Sequence, residues 1–564
     1  MEILDVKQFF RSACLMLVAA LAILPGARVM AQSSSTEPTP FAVISVAPLD
    51  KIFGDIEYIT NAMGSGEIGA MARIMASPYT KGIDTKAAWG GWVASDAAAP
   101  NGVSGALFLP VTSMKDLEAA IRSVGAPAGE DLGDGLKRYS INGQTLYIKS
   151  VGTYAFIAND SRNLSLLPKD PVALLGTLPK DYNFAVQVRM KNVPPDQLKM
   201  VKEKLGDLLA ANAGSGPLNE VVDEETAKKM QEMQSEQIVQ FLDETEELTV
   251  GLAIDSAAKK VHIDTLFTAK EGSDFAGQIK SMSAVKSAFL GFLGSDRAMT
   301  LNAASPFNPK DIERTKVMLK VARAGVDKSI DEDSDLPSDE ARGAAKKLAD
   351  KFFAIFNDTV AAGKLDLGAT VLLEGKVANI VAGVGVADGA KLAEALKELA
   401  SFAKEDSDFP KITFDASKHK DVVFHTAKIP LPPDEGAKKI FGDEIEVVIG
   451  TGAKSAWVCI GQGAPDQLKK LIDACAISSS ASDTPNQFNL FAGPILKFAG
   501  AVEEGNPVLK ALAEKADSFK GSDMITVRTT VNGRTTKSEF SIHEGIFKIG
   551  GEVRSAVSGG GSGF

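Results

Sequence analysis

A strand-and-helix segment that occurs twice is the feature that most constrains the fold of this chain. Residues Gly105–Ile121 align without gaps with Ile380–Leu396. In each copy an apolar strand leads into Ser113 or Asp388, residue types that accept hydrogen bonds from the first free N–H groups of a helix. An apolar stripe with helical spacing follows in both copies. Its residues are Leu117, Ala120 and Ile121 in the first copy and Leu392, Ala395 and Leu396 in the second.

Other segments resemble one another in the same order along the chain, which a chance match would not require. We therefore predict an eroded tandem duplication with one repeat at 41–297 and a second at 298–557, followed by a flexible tail at 558–564. The matching segments are Phe41–Pro48 with Met299–Pro306, the strand pair within 146–157 with that within 447–459, and the pair within 248–267 with that within 525–542.

Each predicted repeat runs strand, helix, strand, strand, helix, strand, and then continues with further hairpins. Turns such as Asn142-Gly143 and Asn532-Gly533 supply the positive φ that tight hairpins need, so the joined strands are antiparallel. Helices that return between hairpins usually cover one face of such a sheet. The predicted class is α+β, with largely antiparallel sheets and helices packed mainly on one face.

Residues 1–31 have the pattern of a cleavable secretory signal peptide. An uncharged, mainly apolar run at 12–27 has the length of a signal h-region and is too short to span a bilayer. The small residue Ala31 ends the segment, which predicts cleavage between Ala31 and Gln32, followed by an extended leader at 32–40. We expect the protein to be exported to the periplasm or the extracellular space.

Composition limits the classes of partner. The chain has a net charge of −11, and its lysines are scattered, which disfavours binding to nucleic acid or to anionic lipid. With 45% apolar and 24% charged residues, it has the composition of a soluble, folded globular protein. No apolar run after the signal peptide is long enough for a membrane span. We expect a protein or envelope component as partner, no nucleic acid and no membrane span after cleavage.

Two cysteines, Cys459 and Cys475, remain after the predicted cleavage. An even pair in an exported protein allows a disulfide. However, Cys459 lies in a predicted strand and Cys475 near the end of a predicted helix, and about ten helical residues at ~1.5 Å each separate their backbones by roughly 15 Å. That separation exceeds the reach of a disulfide. We favour buried free thiols and keep the disulfide as the alternative.

Near-matches to chemical motifs each fail at a required position. The segment 383–391 follows a strand and opens a helix but spells neither a dinucleotide fingerprint nor a phosphate-binding P-loop. Asp331, Asp333 and Asp335 alternate as in a calcium loop, but Leu336 replaces the required glycine. The four histidines accompany no nucleophile elbow and no zinc set. We predict no catalytic residue, no cofactor and no metal ligand.

Trp89 and Trp92 are the most suggestive candidates for a ligand platform. They flank Gly90-Gly91, where missing side chains could expose the indole rings to a sugar or a peptide. We favour packing of both rings in the core and keep the ligand platform as the alternative.

The chain as a whole resembles uncharacterised exported bacterial proteins that have a signal peptide and tandem α+β repeats. The leader through Ala31, the opening 41–59 and two Pro-Asp-Gln-Leu-Lys segments at 195–199 and 465–469 carry this resemblance. It implies export and a duplicated α+β body, and it transfers no active site.

Two classes of function follow from these observations. The first is a non-catalytic binding or structural protein of the cell envelope or extracellular space. The alternative is an exported hydrolase whose carboxylates, distant in sequence, converge only in the fold.

Overall fold

A computed structural model gives a mixed α+β fold. Among the described residues there are fifteen α-helices and twenty strands of large antiparallel sheet structure, ten in each of two compact units. None of the helices described is long and apolar enough to cross a membrane. The predicted signal peptide, including Ala31 and Gln32, lies outside the described residues. These are 39–96, 102–123, 125–141, 143–165, 167–212, 224–333, 338–402, 410–431, 435–478, 480–481 and 484–559.

Both compact units are discontinuous in sequence. The first combines the described residues up to Val201 with Thr245–Thr268 and Ser541–Ser555, and the second holds the other described residues. The predicted repeats, 41–297 and 298–557, are continuous segments. The repeat boundaries therefore do not coincide with those of the two units. They remain a prediction about a duplication of the sequence.

Helices and strands are numbered along the chain, and short 3-10 turns are left out of the numbering. From Pro40 to Ala269 they are β1 (Pro40–Val46), α1 (Leu49–Ala62), α2 (Gly66–Ala76), β2 (Trp89–Ser95), β3 (Val103–Pro110), α3 (Met114–Ser123), β4 (Glu130–Gly133), β5 (Leu136–Ile141), β6 (Gln144–Val151), β7 (Tyr154–Ala158), α4 (Leu178–Asp181), β8 (Phe184–Arg189), α5 (Pro195–Asn212), α6 (Glu224–Glu244), β9 (Thr245–Asp255) and β10 (Lys260–Ala269). From Lys270 onward they are α7 (Asp274–Met282), β11 (Lys286–Ser287), β12 (Met299–Pro306), α8 (Pro309–Glu332), α9 (Asp339–Ala361), β13 (Lys364–Glu374), β14 (Val377–Gly385), α10 (Gly389–Phe402), β15 (Ile412–His419), β16 (Val422–Pro430), α11 (Glu435–Phe441), β17 (Glu444–Gly452), β18 (Ser455–Gly461), α12 (Ala464–Ser478), β19 (Ser480–Ala481), β20 (Asn486–Phe491), α13 (Ala492–Val502), α14 (Pro507–Lys515), β21 (Met524–Asn532), β22 (Thr535–His543) and α15 (Glu544–Gly559).

The sequence-predicted helix caps after β3 and β14 are confirmed. The backbone N–H of Asp116 donates to Ser113 Oγ at 3.2 Å at the start of α3. At the start of α10, the N–H groups of Ala390 and Lys391 donate to Asp388 Oδ1 at 3.0 and 3.2 Å. Each polar residue thus satisfies donors that the first turn of a helix leaves free.

The strands of the first unit are ordered β4, β5, β6, β7, β3, β2, β1, β8, β9, β10, and each pair is antiparallel where its register is defined. Those of the second unit are ordered β15, β16, β17, β18, β14, β13, β12, β20, β21, β22. The order is the same in both units, strand for strand along the chain.

Aromatic clusters form the two cores. In the first unit Trp92 lies against Phe108 and Phe156, with ring centroids 6.3 and 6.0 Å apart. In the second, Trp457 stacks on Phe292 with centroids 5.8 Å apart. Such pairs contribute about 0.5–1.5 kcal/mol beyond the burial of their area.

The prediction of buried free thiols is confirmed. Cys459 in β18 and Cys475 in α12 are both free and both belong to the core of the second unit. Burial raises the pKa of Cys459 to about 12 and that of Cys475 to about 11, so both thiols stay protonated at neutral pH.

Candidate functional site

In β12 of the second unit, the covered side carries polar residues, whereas the partly exposed side is apolar. Successive side chains of a strand point to opposite faces. In β12, Thr300 and Asn302 are at most 1% exposed, whereas Met299 and Leu301 are only half-buried. This arrangement reverses the usual one, in which the apolar side of a half-buried strand faces the core.

Seven neighbouring strands extend this apolar face in two parallel rows. We call the fourteen residues of these rows the apolar strip. None of them is polar or charged and none is buried; Val527 is 39% exposed and Ile380 46%. The first row is Val527, Phe488, Leu301, Ala369, Ala382, Val458 and Ile449, and the second is Ile525, Leu490, Met299, Val371, Ile380, Ile460 and Val447.

The apolar strip is long and narrow. Strands about 4.8 Å apart place the first and seventh residues of a row roughly 29 Å from each other, and the two rows are about 7 Å apart. On the side of the first row, the next row begins with the polar pair Thr529 and Asn486. Beyond Ile449 lies the fully buried His425, whose ring centroid is 5.4 Å from that of Phe414. The apolar strip is therefore bounded by polar residues along one side and by buried residues at one end.

Hydrogen bonds compensate the buried polar residues of β12 and β20 on the covered face. Asn489 Nδ2 donates to Thr300 Oγ1 at 2.8 Å, and Gln487 Nε2 donates to Asn489 Oδ1 at 3.2 Å. A buried polar group without a partner would cost about 1–3 kcal/mol. Because these groups are paired, the strands can keep their polar side covered and leave their apolar side open.

A second polar cluster holds the segment beneath β12 and β13. Asp366 accepts hydrogen bonds from Ser287 Oγ at 2.7 Å, from the N–H of Ala288 at 2.9 Å and from Lys364 Nζ at 2.8 Å. Asn302 Nδ2 donates to Ser287 Oγ at 2.7 Å. Both oxygens of the Asp366 carboxylate are engaged, which gives this buried acid an anchoring role.

Trp92 does not present a ring face to a ligand. It is 2% exposed and lies among Phe108 and Phe156 in the first core, so core packing holds for this residue. Trp89 is half-buried and packs against the cluster that contains Phe53. A ligand platform made of both rings is not formed, because Trp92 points into the core.

The glycines between the two tryptophans are explained by packing. A Cβ on Gly90 would lie 2.1 Å from the carbonyl oxygen of Ile44, and one on Gly91 would lie 2.6 Å from Leu107 Cδ2. A side chain at either position would therefore collide with a neighbouring strand. The pair permits close strand pairing rather than access for a ligand.

The motif near-matches have structural explanations where the structure describes them. A Cβ on Gly383 would lie 2.6 Å from the ring of Phe289, and one on Gly389 would lie 1.8 Å from the carbonyl oxygen of Gly452. Asp331 lies in the last turn of α8 and pairs with Lys346 at 2.7 Å. Asp335 and Leu336 lie outside the described residues.

Several carboxylates are held ionised by cationic partners. Hydrogen bonds to lysine or arginine lower the pKa of these groups, whereas a general acid needs a raised pKa. His419 Nε2 is 2.9 Å from Asp473 Oδ1, and Lys420 Nζ is 2.7 Å from the same oxygen, which makes this cluster a surface ion pair. The carboxylates with a lowered pKa are Asp160, Asp415, Asp473, Glu504, Asp517 and Glu544.

No family model, no curated protein and no solved structure matches this chain. The sequence contains the alternation of Thr300 and Asn302 with Met299 and Leu301, which is the one signal that could have revealed the apolar strip. The usual interpretation of such an alternation places the apolar side of the strand, here Met299 and Leu301, against the core.

Proposed function

We propose that this is an exported, non-catalytic binding protein that holds an uncharged apolar chain, such as the acyl chain of a neutral lipid, on the apolar strip. The observation that carries the proposal is a set of fourteen contiguous apolar residues of which none is buried. The largest contiguous apolar patch on a typical monomer covers about 300–600 Å² and is often functional, and the apolar strip falls within this range.

The chemistry of the apolar strip favours a hydrocarbon over a polypeptide. Its side chains offer no charge and no hydrogen-bonding group. Each of its strands is paired on both sides, as β12 is with β13 and β20, so a peptide cannot join the sheet as an added strand. A peptide lying across the face would leave its own N–H and C=O groups without partners, which is costly on an apolar surface. A hydrocarbon chain has no such groups to satisfy.

Charge and area favour an uncharged small ligand over a second copy or an anionic bilayer. Two chains with a net charge of −11 repel each other, and each is repelled by anionic lipid. A strip about 29 Å long and two side chains wide covers on the order of 400 Å². A stable protein interface buries roughly 800 Å² on each partner.

The duplicated scaffold is part of the same proposal. The identical strand order in the two units supports a tandem duplication with repeats at 41–297 and 298–557. Helix α12 packs on the covered face of the second unit's sheet through Leu468 and Leu471, which supports the expectation of helices mainly on one face. Export to the periplasm or extracellular space rests on the signal-peptide pattern of residues 1–31.

Competition for an uncharged dye tests the proposed function. The full chain should increase the fluorescence of Nile red, and palmitoylglycerol should displace the dye. The double variant Ile380→Lys/Val527→Lys places two ammonium groups on exposed positions of the apolar strip and should weaken palmitoylglycerol binding at least tenfold. The control Ile477→Lys changes an exposed apolar residue of α12 outside the strip and should bind like the unmodified chain. Equal binding by the double variant and the unmodified chain would rule the proposal out.

A further inference from the structure

The first unit also has an open apolar face, formed by β8, β9 and β10. Phe184, Val250, Leu252 and Ile263 are each between 37 and 43% exposed. Phe184 lies directly opposite Leu252 in the sheet, and Val250 lies opposite the half-buried Val186. Phe184, Val250 and Leu252 lie together on this face, and Ile263 is an exposed apolar residue of β10, the strand next to β9.

Polar side chains on the covered side of β8 and β9 are hydrogen-bonded. Gln187 Nε2 donates to Thr249 Oγ1 at 3.3 Å. Arg189 Nε donates to Gln187 Oε1 at 2.8 Å, and Arg189 Nη2 donates to the carbonyl oxygen of Leu174 at 3.2 Å. The covered side of β8 and β9 therefore carries paired polar groups beside Ala185 and Ala253 of the first core, and the opposite side is apolar.

The pairing of the strands again limits what can bind. β8 pairs with β1 and β9, so its backbone is satisfied on both sides and cannot accept an added strand. The patch carries neither charge nor hydrogen-bonding side chains, and it belongs to a chain with a net charge of −11. Its chemistry matches an uncharged hydrocarbon for the reasons that apply to the apolar strip.

We infer that the first unit carries a second site for the same class of uncharged apolar chain, centred on Phe184, Val250, Leu252 and Ile263, so that one protein chain binds two ligands. This inference rests on the proposed function of the apolar strip. The second site is shorter, because part of the face farther along the sheet is covered: Ile148 and Ala155 are buried with Leu117 of α3. The shorter site should bind a given acyl chain more weakly than the apolar strip does.

Native mass spectrometry of the full chain with palmitoylglycerol counts the bound ligands directly. The unmodified chain should bind two. The variant Val250→Lys/Leu252→Lys should bind one, Ile380→Lys/Val527→Lys should bind one, and the combination of all four substitutions should bind none. The control Ile74→Lys, on the exposed face of α2, should still bind two. Circular dichroism spectra that match the unmodified chain would show that each variant is folded.

The other outcomes separate the two proposals. A single bound ligand that is lost only in Ile380→Lys/Val527→Lys would overturn the second site and leave the proposed function intact. A single ligand lost only in Val250→Lys/Leu252→Lys would keep the first-unit site and overturn the role of the apolar strip. No binding by the unmodified chain would overturn both.

Discussion

Phe488 of β20 lies directly opposite Leu301 of β12 on the open face of the second unit, and the next pair on the same strands, Asn489 and Thr300, is hydrogen-bonded on the covered face. The apolar pair is accessible and the polar pair is buried. On these two strands, paired polar groups are buried at positions where a typical sheet buries hydrocarbon. The apolar side chains that remain open are available to a ligand.

The buried pair should be energetically coupled. Asn489→Ala removes the donor to Thr300 Oγ1 and should lower the free energy of unfolding by about 1–3 kcal/mol. The double variant Thr300→Val/Asn489→Leu replaces both polar groups by apolar ones and should recover much of that loss. Urea unfolding of the two variants and the unmodified chain measures both effects. A neutral Asn489→Ala would mean that the hydrogen bond does not compensate the covered polar face.

Two adjacent residues of β14 test which face is open. Ile380→Thr, at an exposed position, should change the free energy of unfolding by no more than about 0.5 kcal/mol. Val381→Thr places a hydroxyl in the core of the second unit and should cost about 1–3 kcal/mol. Urea unfolding measures both values. Equal effects, or a reversed order, would contradict the assigned orientation of the strand.

Stability should fall with pH through His425. The backbone N–H of Asp415 donates to Nδ1 of this buried ring at 3.2 Å, so the proton lies on Nε2, which is 3.0 Å from Thr451 Oγ1. Burial and, to a smaller degree, Lys397 lower the pKa of His425, and the opposing effect of the Asp415 carboxylate does not cancel them. The unfolded chain therefore takes up the proton first as the pH falls.

The free energy of unfolding should be at its full value above pH about 6.5, the ordinary pKa of histidine, and should decrease as the pH is lowered below it. Urea unfolding at a series of pH values measures this slope. His425→Gln should remove it, whereas the partly exposed control His419→Gln should retain it. A slope that persists in His425→Gln would assign the effect to another group.

Neighbouring glycines of α15 should respond in opposite ways to alanine. A Cβ on Gly551 would lie 2.5 Å from the carbonyl oxygen of Met63, whereas Gly550 faces open space. Gly551→Ala should cost about 1–3 kcal/mol because the helix must shift. Gly550→Ala should stabilise by up to about 1 kcal/mol through helix propensity. Thermal unfolding of both variants decides whether α15 lies against Met63, at the end of α1.

The sequence was sufficient for the elements that depend on local chemistry. The caps at Ser113 and Asp388 and the placement of Cys459 in a strand and Cys475 in a helix are confirmed. These features depend on residues close together along the chain, and their physics can be read from a short segment.

The sequence does not predict which side of each strand is buried or which distant residues are hydrogen-bonded. Aligning Phe41–Pro48 with Met299–Pro306 sets Val43 against Leu301, yet Val43 belongs to the first core and Leu301 to the open face. A one-residue slip reverses every side chain of a strand. The hydrogen bond that compensates the buried polar side of β12 joins Asn489 to Thr300, which are 189 residues apart. No pattern within a short segment predicts this pairing.

Photo-cross-linking tests the central claim most directly. The full chain is incubated with palmitoylglycerol that carries a diazirine on its acyl chain, irradiated and mapped by mass spectrometry. The proposed function predicts that the cross-links fall on the strands of the apolar strip, with Leu301, Val371 and Ile380 among the modified residues, and that unlabelled palmitoylglycerol suppresses them. Cross-links spread over the surface without competition, or confined to residues outside the two apolar faces, would contradict it.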